Sequence, residues 1–468
     1  MKNTLPYQPV LEQTLHHALD YLEHLDSSPV GATASLSKLR SRLVKPLSSG
    51  GMPADQVIQE LVHDTDGGLN ASAGGRFFGW VIGGAVPAAL AADWLTSTWD
   101  QNAGLYAVAP AEAVIEEACG IWLKELLGLP HTASFALVTG CQMAHTTCLA
   151  AARNAVLAKI GWDVERRGLV GAPHVRIVSS DQRHSTIERA VRLLGLGSES
   201  VVDLPVDEKG QLKADALVKA LSNESPMIVV LQAGDLNIGA YDSFADLIPL
   251  AHQKGAWVHV DGAFGLWAAA SPHHAHLLRG VELADSWAVD GHKWLNVPYD
   301  CGYAFVADTN AHRASMSVRA SYLVHADEVR DQMDWNPEFS RRGRGVATYA
   351  AIRQLGRNGV ADLVDRSCRF AHSLVTRIGS LSGAQVVWEP QINQGLVRFL
   401  DPKPGATDKD HDRRTDEIIS AILQTGEALF SGSNWRGMRC MRVSVCNWQT
   451  DEEDIDRVVA AVRRVLEK

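Results

Sequence analysis

Helical and β-rich segments alternate through the middle of this 468-residue chain, and that alternation restricts the fold more than any other feature. Apolar residues recur at helical spacing in 115–127 and 146–159, while 175–179, 228–231 and 257–260 are short β-rich runs. Strands separated by helices pair in parallel, and the helices cover both faces of the sheet. The pattern therefore predicts an α/β fold with a mostly parallel sheet, in which ligands bind at the carboxyl ends of the strands.

The segments on either side of this sheet have a different organisation. Helices are predicted at 12–25 and 54–64, and the stretch 27–40 between them is a polar connection. After residue 347 the order is a long helix, a strand, a helix, a strand and a closing helix, which indicates a smaller α+β domain. We expect an N-terminal helical segment at 1–84, a large domain at 85–346 and a C-terminal small domain at 347–468.

Composition excludes several classes of partner. The 54 acidic and 44 basic residues give a net charge of −10, and no basic run could follow a phosphate backbone, so we expect no nucleic-acid binding. The longest apolar stretch is too short to span a bilayer, and no secretory signal precedes it, so we expect no membrane contact and a cytoplasmic location. The seven cysteines form no C-x-x-C pair and are expected to be reduced.

The segment DSWAVDGHKWLNVPYDCGYAFV, residues 285–306, carries the strongest chemical signal. Lys293 follows a β-like run and lies between a histidine and a tryptophan. When its surroundings lower its pKa, a lysine amine attacks carbonyl groups and can hold an aldehyde cofactor as a Schiff base. Pyridoxal phosphate is held in this way, whereas the alternative is a lysine whose stem packs at a strand end.

A second segment, GAWVHVDGAFGLW, ends a buried strand with Asp261, 32 residues before Lys293. A carboxylate at this place could keep the pyridine nitrogen of pyridoxal phosphate protonated. It could equally cap the following helix. The pairing with Lys293 favours the cofactor, because one strand and its crossover separate the two residues.

Two further segments join a strand to a helix. In LVTGCQMAHTTCLAAAR, Gly140, Cys141 and Gln142 begin an alanine-rich helix whose N-terminus could hold a phosphate, although many helices begin in this way. In SSDQRHSTIERAVRLLG, His184 could stack on an aromatic ring or move protons, or it could simply cap a helix or fill the core.

These four segments, in this order, resemble the pyridoxal-phosphate-dependent group II decarboxylases, which include the aromatic-amino-acid, glutamate and histidine decarboxylases. The similarity extends from about residue 74 to the C-terminus. Its most specific parts are DQRHSTIERA, HVDGA and DGHKWLNVPYDCG, and GGRFFGW and PAEAVIEEACGIWLKELLGLP are also similar to the family.

The resemblance implies the fold called type I, with a mostly parallel seven-stranded sheet in the large domain, and a homodimer whose active site lies at the subunit interface. Lys293 would bind the cofactor aldehyde, Asp261 the pyridine nitrogen, and His184 the face of the ring. Further roles that it implies are phosphate binding by Gly140, Cys141, Gln142 and His292, and substrate contacts by Trp80, by Asn102 from the partner subunit and by Arg442.

The sequence also departs from the family pattern. Asp290 replaces an asparagine and places a carboxylate near the phosphate, and Asp235 and Leu236 replace threonines. Family members often have a tyrosine about nine residues before a pair of arginines, which returns a proton to the α-carbon. The corresponding stretch here, EVRDQMDWNPEFSRR, has Gln332 at that place. Another group, such as His184 or Lys293, must then supply the proton, or the intermediate must react in another way.

The leading hypothesis is α-decarboxylation of an amino acid to an amine. One alternative is cleavage of the Cα–Cβ bond of a β-hydroxy amino acid, with Asp235 or His145 as the base. Another is oxidative deamination to an aldehyde, and a non-enzymatic alternative is a pseudoenzyme that serves as a structural subunit. The substrate is not identified, although Gly104 replaces a bulky aromatic residue and suggests a roomier pocket. The histidines of SPHHAH do not share a helical face, so we expect no metal site.

Overall fold

The computed structural model describes residues 7–318 and 329–468. Residues 1–6 and 319–328 lie outside the described part. The loop stretch EVRDQMDWNPEFSRR is therefore described except for its first residue, Glu328. The helices are α1 (Gln8–Glu23), α2 (Leu36–Leu43), α3 (Ala54–Thr65), α4 (Pro87–Trp99), α5 (Pro110–Leu126), α6 (Cys141–Ala158), α7 (Val164–Arg167), α8 (Ser185–Leu193), α9 (Ala214–Ala220), α10 (Phe244–His252), α11 (Thr309–Met316), α12 (Gly345–Gly379), α13 (Asp408–Gln424) and α14 (Glu452–Leu466).

The large sheet has seven strands in the order β1-β7-β6-β5-β4-β2-β3. The pairs β2–β3, β2–β4, β4–β5 and β5–β6 are parallel, whereas β7 pairs antiparallel with both β1 and β6. The mostly parallel seven-stranded sheet of an α/β fold is thus confirmed. Its strands are β1 (Ser134–Val138), β2 (Arg176–Ser180), β3 (Val201–Leu204), β4 (Met227–Gln232), β5 (Trp257–Asp261), β6 (Ser286–Asp290) and β7 (Gly302–Val306).

Both faces of this sheet are covered, which explains its almost continuous apolar strands. On β4, Val229 and Leu231 pack into one hydrophobic cluster, while Ile228 and Val230 pack into another on the opposite face. Helix α6 packs across β5, β6 and β7 on the second face. The N-terminus of α6 consequently lies beside the carboxyl ends of the central strands.

A second, antiparallel sheet follows a long helix. Helix α12 is interrupted at Gly356, whose φ of 61° is left-handed and breaks the helical path. The four strands have the order β10-β11-β9-β8, and α12, α13 and α14 pack against them. They are β8 (Ala384–Trp388), β9 (Gln394–Phe399), β10 (Ser431–Trp435) and β11 (Met438–Ser444).

The N-terminal region contains one helix more than the sequence indicated. The stretch 27–40 was expected to be a polar connection, but α2 begins within it, where the Ser35 side chain accepts a hydrogen bond from the Lys38 N–H. No residue of α2, all of which is described, is buried. With eight residues, α2 is shorter than the window over which helical periodicity can be recognised, which is why the pattern did not reveal it. Among the described helices, none is long and apolar enough to cross a membrane.

Candidate active site

A cavity of about 470 Å³ opens where the central strands of the large sheet end. It brings together the lysine, the aspartate and both histidines that the sequence singled out, although up to 109 positions separate them in the chain. The predicted residues that line it are Trp80, Gly140, Cys141, Gln142, His184, Asp261, His292, Lys293 and Arg442. Asn102 is not among the described residues that line it.

The first turn of α6 forms one wall of this cavity. Gly140 is the N-cap, and the backbone N–H of Cys141 donates a hydrogen bond to Asp290 Oδ1 at 2.5 Å. A Cβ atom at Gly140 would lie 2.9 Å from a ring carbon of His292. Glycine is therefore required here by close packing, and the carboxylate of Asp290 already interacts with the positive end of the helix.

Asp290 also binds the predicted cofactor lysine. Its Oδ2 lies 3.0 Å from Lys293 Nζ, and both side chains are largely buried. Burial alone lowers the pKa of Lys293, but the neighbouring Asp290 carboxylate reverses this effect, so the pKa lies above its usual value. The sequence analysis associated a reactive lysine with a lowered pKa, whereas here the side chain is held as an ammonium ion.

His292 is fixed between the backbone and an aromatic ring. Its Nδ1 accepts a hydrogen bond from the Cys301 N–H at 3.1 Å, and its ring stacks on Tyr299 with centroids 4.3 Å apart. Burial lowers the pKa of His292, which keeps the ring neutral. Its other nitrogen, Nε2, lies 3.4 Å from Asp290 Oδ1, so His292 borders the same wall as Cys141.

Tyr299 is a cavity residue that the sequence analysis missed. Burial raises the pKa of its phenol to about 12, so the hydroxyl keeps its proton at neutral pH. An aromatic residue six positions after the lysine, between proline and aspartate, was the available signal. The sequence analysis treated this tyrosine only as part of the segment DGHKWLNVPYDCG, which resembles the family.

Asp261 is the last residue of β5 and lies in the cavity wall. Its Oδ1 accepts a hydrogen bond from the Ala263 N–H at 3.2 Å, so it also supports the turn that follows the strand. The next 3-10 helix begins after Phe264 without a side-chain cap, so Asp261 does not cap it. Behind it, His145 Nε2 lies 3.6 Å from Asp261 Oδ1.

Cys141, His145 and Asp261 offer three ligand atoms within 4.8 Å of one another. Burial raises the pKa of the Cys141 thiol well above its usual value, and metals bind the thiolate rather than the thiol. We assign no metal to this group.

His184 caps the N-terminus of α8 and also lines the cavity. It is the N-cap of α8, and its Nδ1 accepts a hydrogen bond from the Thr186 N–H at 3.3 Å. Burial lowers the pKa of His184, and the ring is neutral with its hydrogen on Nε2. A neutral ring is a weaker proton donor than the sequence analysis assumed.

Arg442, on β11, lines the cavity, and Asp235 lies between the lining residues Gly234 and Leu236. Arg442 donates a hydrogen bond from Nη1 to the Leu236 carbonyl at 2.7 Å, and burial lowers its pKa to about 10. The carboxylate of Asp235 accepts hydrogen bonds from the N–H groups of Asn237, Ile238 and Ala240. Asp235 is thereby committed to a turn, which argues against its proposed role as a base.

Trp80 and Asn102 occupy different environments. Trp80 is 55% exposed at the cavity and has a φ of 51°. Asn102 instead binds Ser340 and the backbone of Arg341 within its own chain. A Cβ atom at Gly104 would lie 2.5 Å from the Phe339 carbonyl oxygen, so backbone packing, and not a roomier pocket, accounts for that glycine.

Gln332, at the position that the sequence analysis matched to the family's loop tyrosine, is buried. It lies in a short 3-10 turn, is 1% exposed and accepts a hydrogen bond from Asn336 at its backbone oxygen. Its side chain is not among the described groups that line the cavity.

Comparison with known proteins places this site in a family. The model of the pyridoxal-dependent decarboxylase conserved domain matches residues 46–400. This chain belongs to that family. It is therefore a pyridoxal-phosphate-dependent carboxy-lyase that acts on an amino acid, as the sequence predicted.

Individual relatives extend over nearly the whole chain. An aromatic-L-amino-acid decarboxylase of Bacillus atrophaeus is 24% identical over 465 residues, 97% of this chain and 94% of that protein. A 4-hydroxyphenylacetaldehyde synthase of Rhodiola rosea is 26% identical over 94% of this chain and 90% of its own length. A glutamate decarboxylase-like protein of Gibberella zeae is 30% identical over 84% of this chain and 83% of its own.

Solved structures agree on the fold. The crystal structure of Oryza sativa TDC with PLP and tryptamine superposes with a TM-score of 0.93 at 23% identity, covering 100% of this chain and 99% of the other. The type I fold is thus confirmed.

The residues present fit pyridoxal phosphate. The cavity has a lysine amine, a strand-end carboxylate and a helix N-terminus on its walls. Behind the carboxylate, the buried His145 Nε2 has no hydrogen-bond partner among the described residues.

Proposed function

We propose that this decarboxylase acts on an amino acid with an apolar or aromatic side chain. The support is the set of apolar and aromatic side chains that line the cavity: Trp80, Val81, Ile82, Leu236, Phe264 and Tyr299. Of the lining cations, Lys293 is paired with Asp290 and Arg442 is bonded to the Leu236 carbonyl. The names of the aromatic-L-amino-acid decarboxylases among its relatives point to the same class.

The residue roles follow from the placement of two groups on neighbouring strands, β5 and β6. Lys293, just after β6, holds the cofactor aldehyde, and Asp261, at the end of β5, holds a proton on the ring nitrogen. When bound, pyridoxal phosphate draws electrons from the bond to the departing carboxyl group. The observation that carries these residue roles is that the Lys293 amine and the Asp261 carboxylate line the same cavity.

The other lining groups complete the assignment. Gly140, Cys141, Gln142 and His292 contact the phosphate, while His184 covers the ring. Trp80 and Arg442 bind the substrate. Because the loop has no tyrosine at position 332, we assign the proton returned to the substrate to the hydroxyl Oη of Tyr299.

The test is a product analysis with a panel of amino acids. The enzyme is incubated with each, and carbon dioxide, amine and aldehyde are measured. Aromatic substrates should give equimolar carbon dioxide and amine, and Lys293→Ala should abolish both, whereas the exposed Lys159→Ala should not. Aldehyde without carbon dioxide would contradict decarboxylation, and the absence of products with bound cofactor would support the pseudoenzyme.

The described geometry disfavours the Cα–Cβ cleavage alternative. Asp235 is bound by three backbone N–H groups, and His145 lies behind Asp261 with Nδ1 bonded to His259. Neither base can face a β-hydroxyl group in the cavity without losing those bonds.

We also propose that the enzyme is a homodimer. No residue of α1, which is described in full, is buried, and Leu11, Leu15, Leu19 and Leu22 are 39–54% exposed. An apolar row of this kind on a helix is typical of an interface. In a dimer of this kind, Asn102 would reach the substrate side of the partner's cavity.

Light scattering tests the dimer. The double variant Leu15→Glu, Leu19→Glu should convert it to a monomer, while Val170→Glu, at a position 94% exposed, should leave the mass unchanged. A monomeric wild type would contradict the proposal.

Two finer assignments remain proposals. The strands of the large sheet lie within 134–306 and those of the small sheet within 384–444, which supports boundaries near 84 and 346. All seven cysteines lie in described ranges and are free, which supports a reducing compartment such as the cytoplasm.

A further inference from the structure

A row of buried polar groups extends away from the cavity behind Asp261. His145, on α6, and His259 and Ser286, on β5 and β6, are fully buried, and Trp257 is 3% exposed. None of these four groups lines the cavity as described, and the roles proposed above do not use them. Four polar groups in an otherwise apolar core need a reason, because each costs free energy unless its hydrogen bonds are made.

The groups are connected in series. Trp257 Nε1 donates a hydrogen bond to Ser286 Oγ at 2.9 Å, and Ser286 Oγ lies 2.9 Å from His259 Nδ1. His259 Nε2 lies 2.9 Å from His145 Nδ1. The series ends at His145 Nε2, which faces Asp261 Oδ1 at 3.6 Å and has no partner among the described residues.

The indole of Trp257 determines where each hydrogen lies, because it can only donate. The Ser286 oxygen accepts from it, and the hydroxyl hydrogen of Ser286 is then donated to His259 Nδ1. A neutral His259 carries its hydrogen on Nε2 and donates it to His145 Nδ1. His145 is left with its hydrogen on Nε2, which faces Asp261 Oδ1 at 3.6 Å and is the one group of the row without a hydrogen-bond partner among the described residues.

Burial supports neutral rings in this row. It lowers the pKa of both His145 and His259 to about 3, so each ring carries one hydrogen and must choose a nitrogen for it. The reverse direction would place a lone pair of His145 against the carboxylate of Asp261.

We propose that His145, oriented by His259, Ser286 and Trp257, is a positioning residue that donates a hydrogen bond to Asp261 and keeps its carboxylate ionised for the cofactor ring. This inference rests on the proposed pairing of Asp261 with the ring nitrogen. The 3.6 Å separation closes to hydrogen-bond length when the cofactor fixes Asp261, as hydrogen bonds in ligand-free sites often do. An ionised Asp261 holds the ring nitrogen in its protonated form.

The first test measures the hydrogen positions directly. Imidazole ¹⁵N NMR of the wild-type protein, with and without pyridoxal phosphate, reports which ring nitrogen carries hydrogen. The signals of His145 are assigned by their loss in His145→Gln. The proposal requires hydrogen on Nε2 of both His145 and His259, and hydrogen on Nδ1 of either would overturn it.

The second test measures cofactor affinity. In His145→Leu the donor is lost, while in His145→Gln an amide N–H can replace it. Pyridoxal phosphate should bind His145→Leu about tenfold more weakly than wild type, and His145→Gln should recover most of that loss, because a hydrogen bond to a charged group is at stake. His312→Leu, at a buried histidine bonded to Ser134 outside the cavity, controls for the loss of any core imidazole.

An analogue separates this inference from the assignment on which it rests. In 1-deazapyridoxal phosphate a carbon replaces the ring nitrogen, so His145→Leu should leave its affinity unchanged. An equal loss for both cofactors would reduce His145 to a structural role and overturn the proposal. If wild type bound both cofactors equally, the pairing of Asp261 with the ring nitrogen would be wrong, whatever the NMR result.

Discussion

Asp290→Asn should make Lys293 more reactive and the cofactor bind more tightly. In the structure the Asp290 carboxylate lies 3.0 Å from Lys293 Nζ and accepts the Cys141 N–H at 2.5 Å. Asparagine keeps the shape and can still accept from Cys141, but it removes the charge. The substitution therefore isolates the electrostatic contribution of one carboxylate.

The magnitude follows from the distance. Two unit charges 3.0 Å apart attract by about 5 kcal/mol at an effective dielectric constant of about 20. The Lys293 side chain is 23% exposed, so solvent screens part of this attraction, and burial opposes it. We expect the pKa of Lys293 to fall by at least about one unit, equivalent to about 1.4 kcal/mol. The unprotonated amine would then be about tenfold more abundant at neutral pH.

Competitive labelling measures how much of the Lys293 amine is unprotonated. Cofactor-free protein is treated with a trace of fluorodinitrobenzene between pH 6 and 9, and mass spectrometry quantifies the labelled Lys293 peptide. At each pH the labelling rate should be about tenfold higher in Asp290→Asn, because the removed charge favoured the ammonium form. Asp300→Asn, whose carboxylate pairs with Arg344, should leave the rate unchanged. An unchanged or lower rate in Asp290→Asn would refute the reasoning.

The same variant alters the part of the cavity to which we assigned the phosphate. A carboxylate beside the N-terminus of α6 repels the phosphate anion, so Asp290→Asn should also lower the dissociation constant of pyridoxal phosphate. Unchanged affinity together with a lowered Lys293 pKa would mean that Asp290 is remote from the phosphate, which would contradict the phosphate site assigned to Gly140 and Cys141.

Further predictions concern Tyr299 and a buried ion pair. Tyr299→Phe keeps the ring but removes the hydroxyl. Amine formation should slow about 100-fold, as for loss of a general acid, while carbon dioxide release falls less, because dissolved oxygen can oxidise the unprotonated product to an aldehyde and is itself reduced to hydrogen peroxide. Unchanged amine formation would assign the proton to another group. Arg341 and Glu116 form a fully buried pair at 2.6 Å, so Arg341→Met should lower the free energy of unfolding by about 3–5 kcal/mol in urea titrations. Arg357→Met, which breaks an exposed pair with Glu125, should cost less than about 1 kcal/mol, and equal losses would contradict the burial argument.

The sequence predicted the central strands and the residues at their ends because both signals are local. A short apolar run followed by Asp261, or by Asp290 and Lys293, indicates a strand end wherever the strand lies in the sheet. The predicted runs at 228–231 and 257–260 lie within β4 and β5. Parallel pairing then brings their carboxyl ends to one edge.

Contacts between distant residues could not be predicted in this way. The Cys141–Asp290 hydrogen bond joins residues 149 positions apart, and the His145–His259 contact spans 114. The raised pKa of Lys293 depends on the rotamer of Asp290, which no periodicity encodes. Helix α2 was missed because its eight residues are too few to show a helical period.

The first turns of α6 interact with two parts of the site, the one around Lys293 and the one around Asp261. Cys141 and His145 are four residues apart and therefore share one face of the helix, which packs across the central strands. The N–H of Cys141 engages Asp290, which in turn engages Lys293, while the ring of His145 faces Asp261. A small rotation of α6 would alter the surroundings of Lys293 and of Asp261 together. The buried row through His259 and Ser286 fastens this face of the helix to β5 and β6, so the same bonds that orient His145 also fix the N–H that meets Asp290.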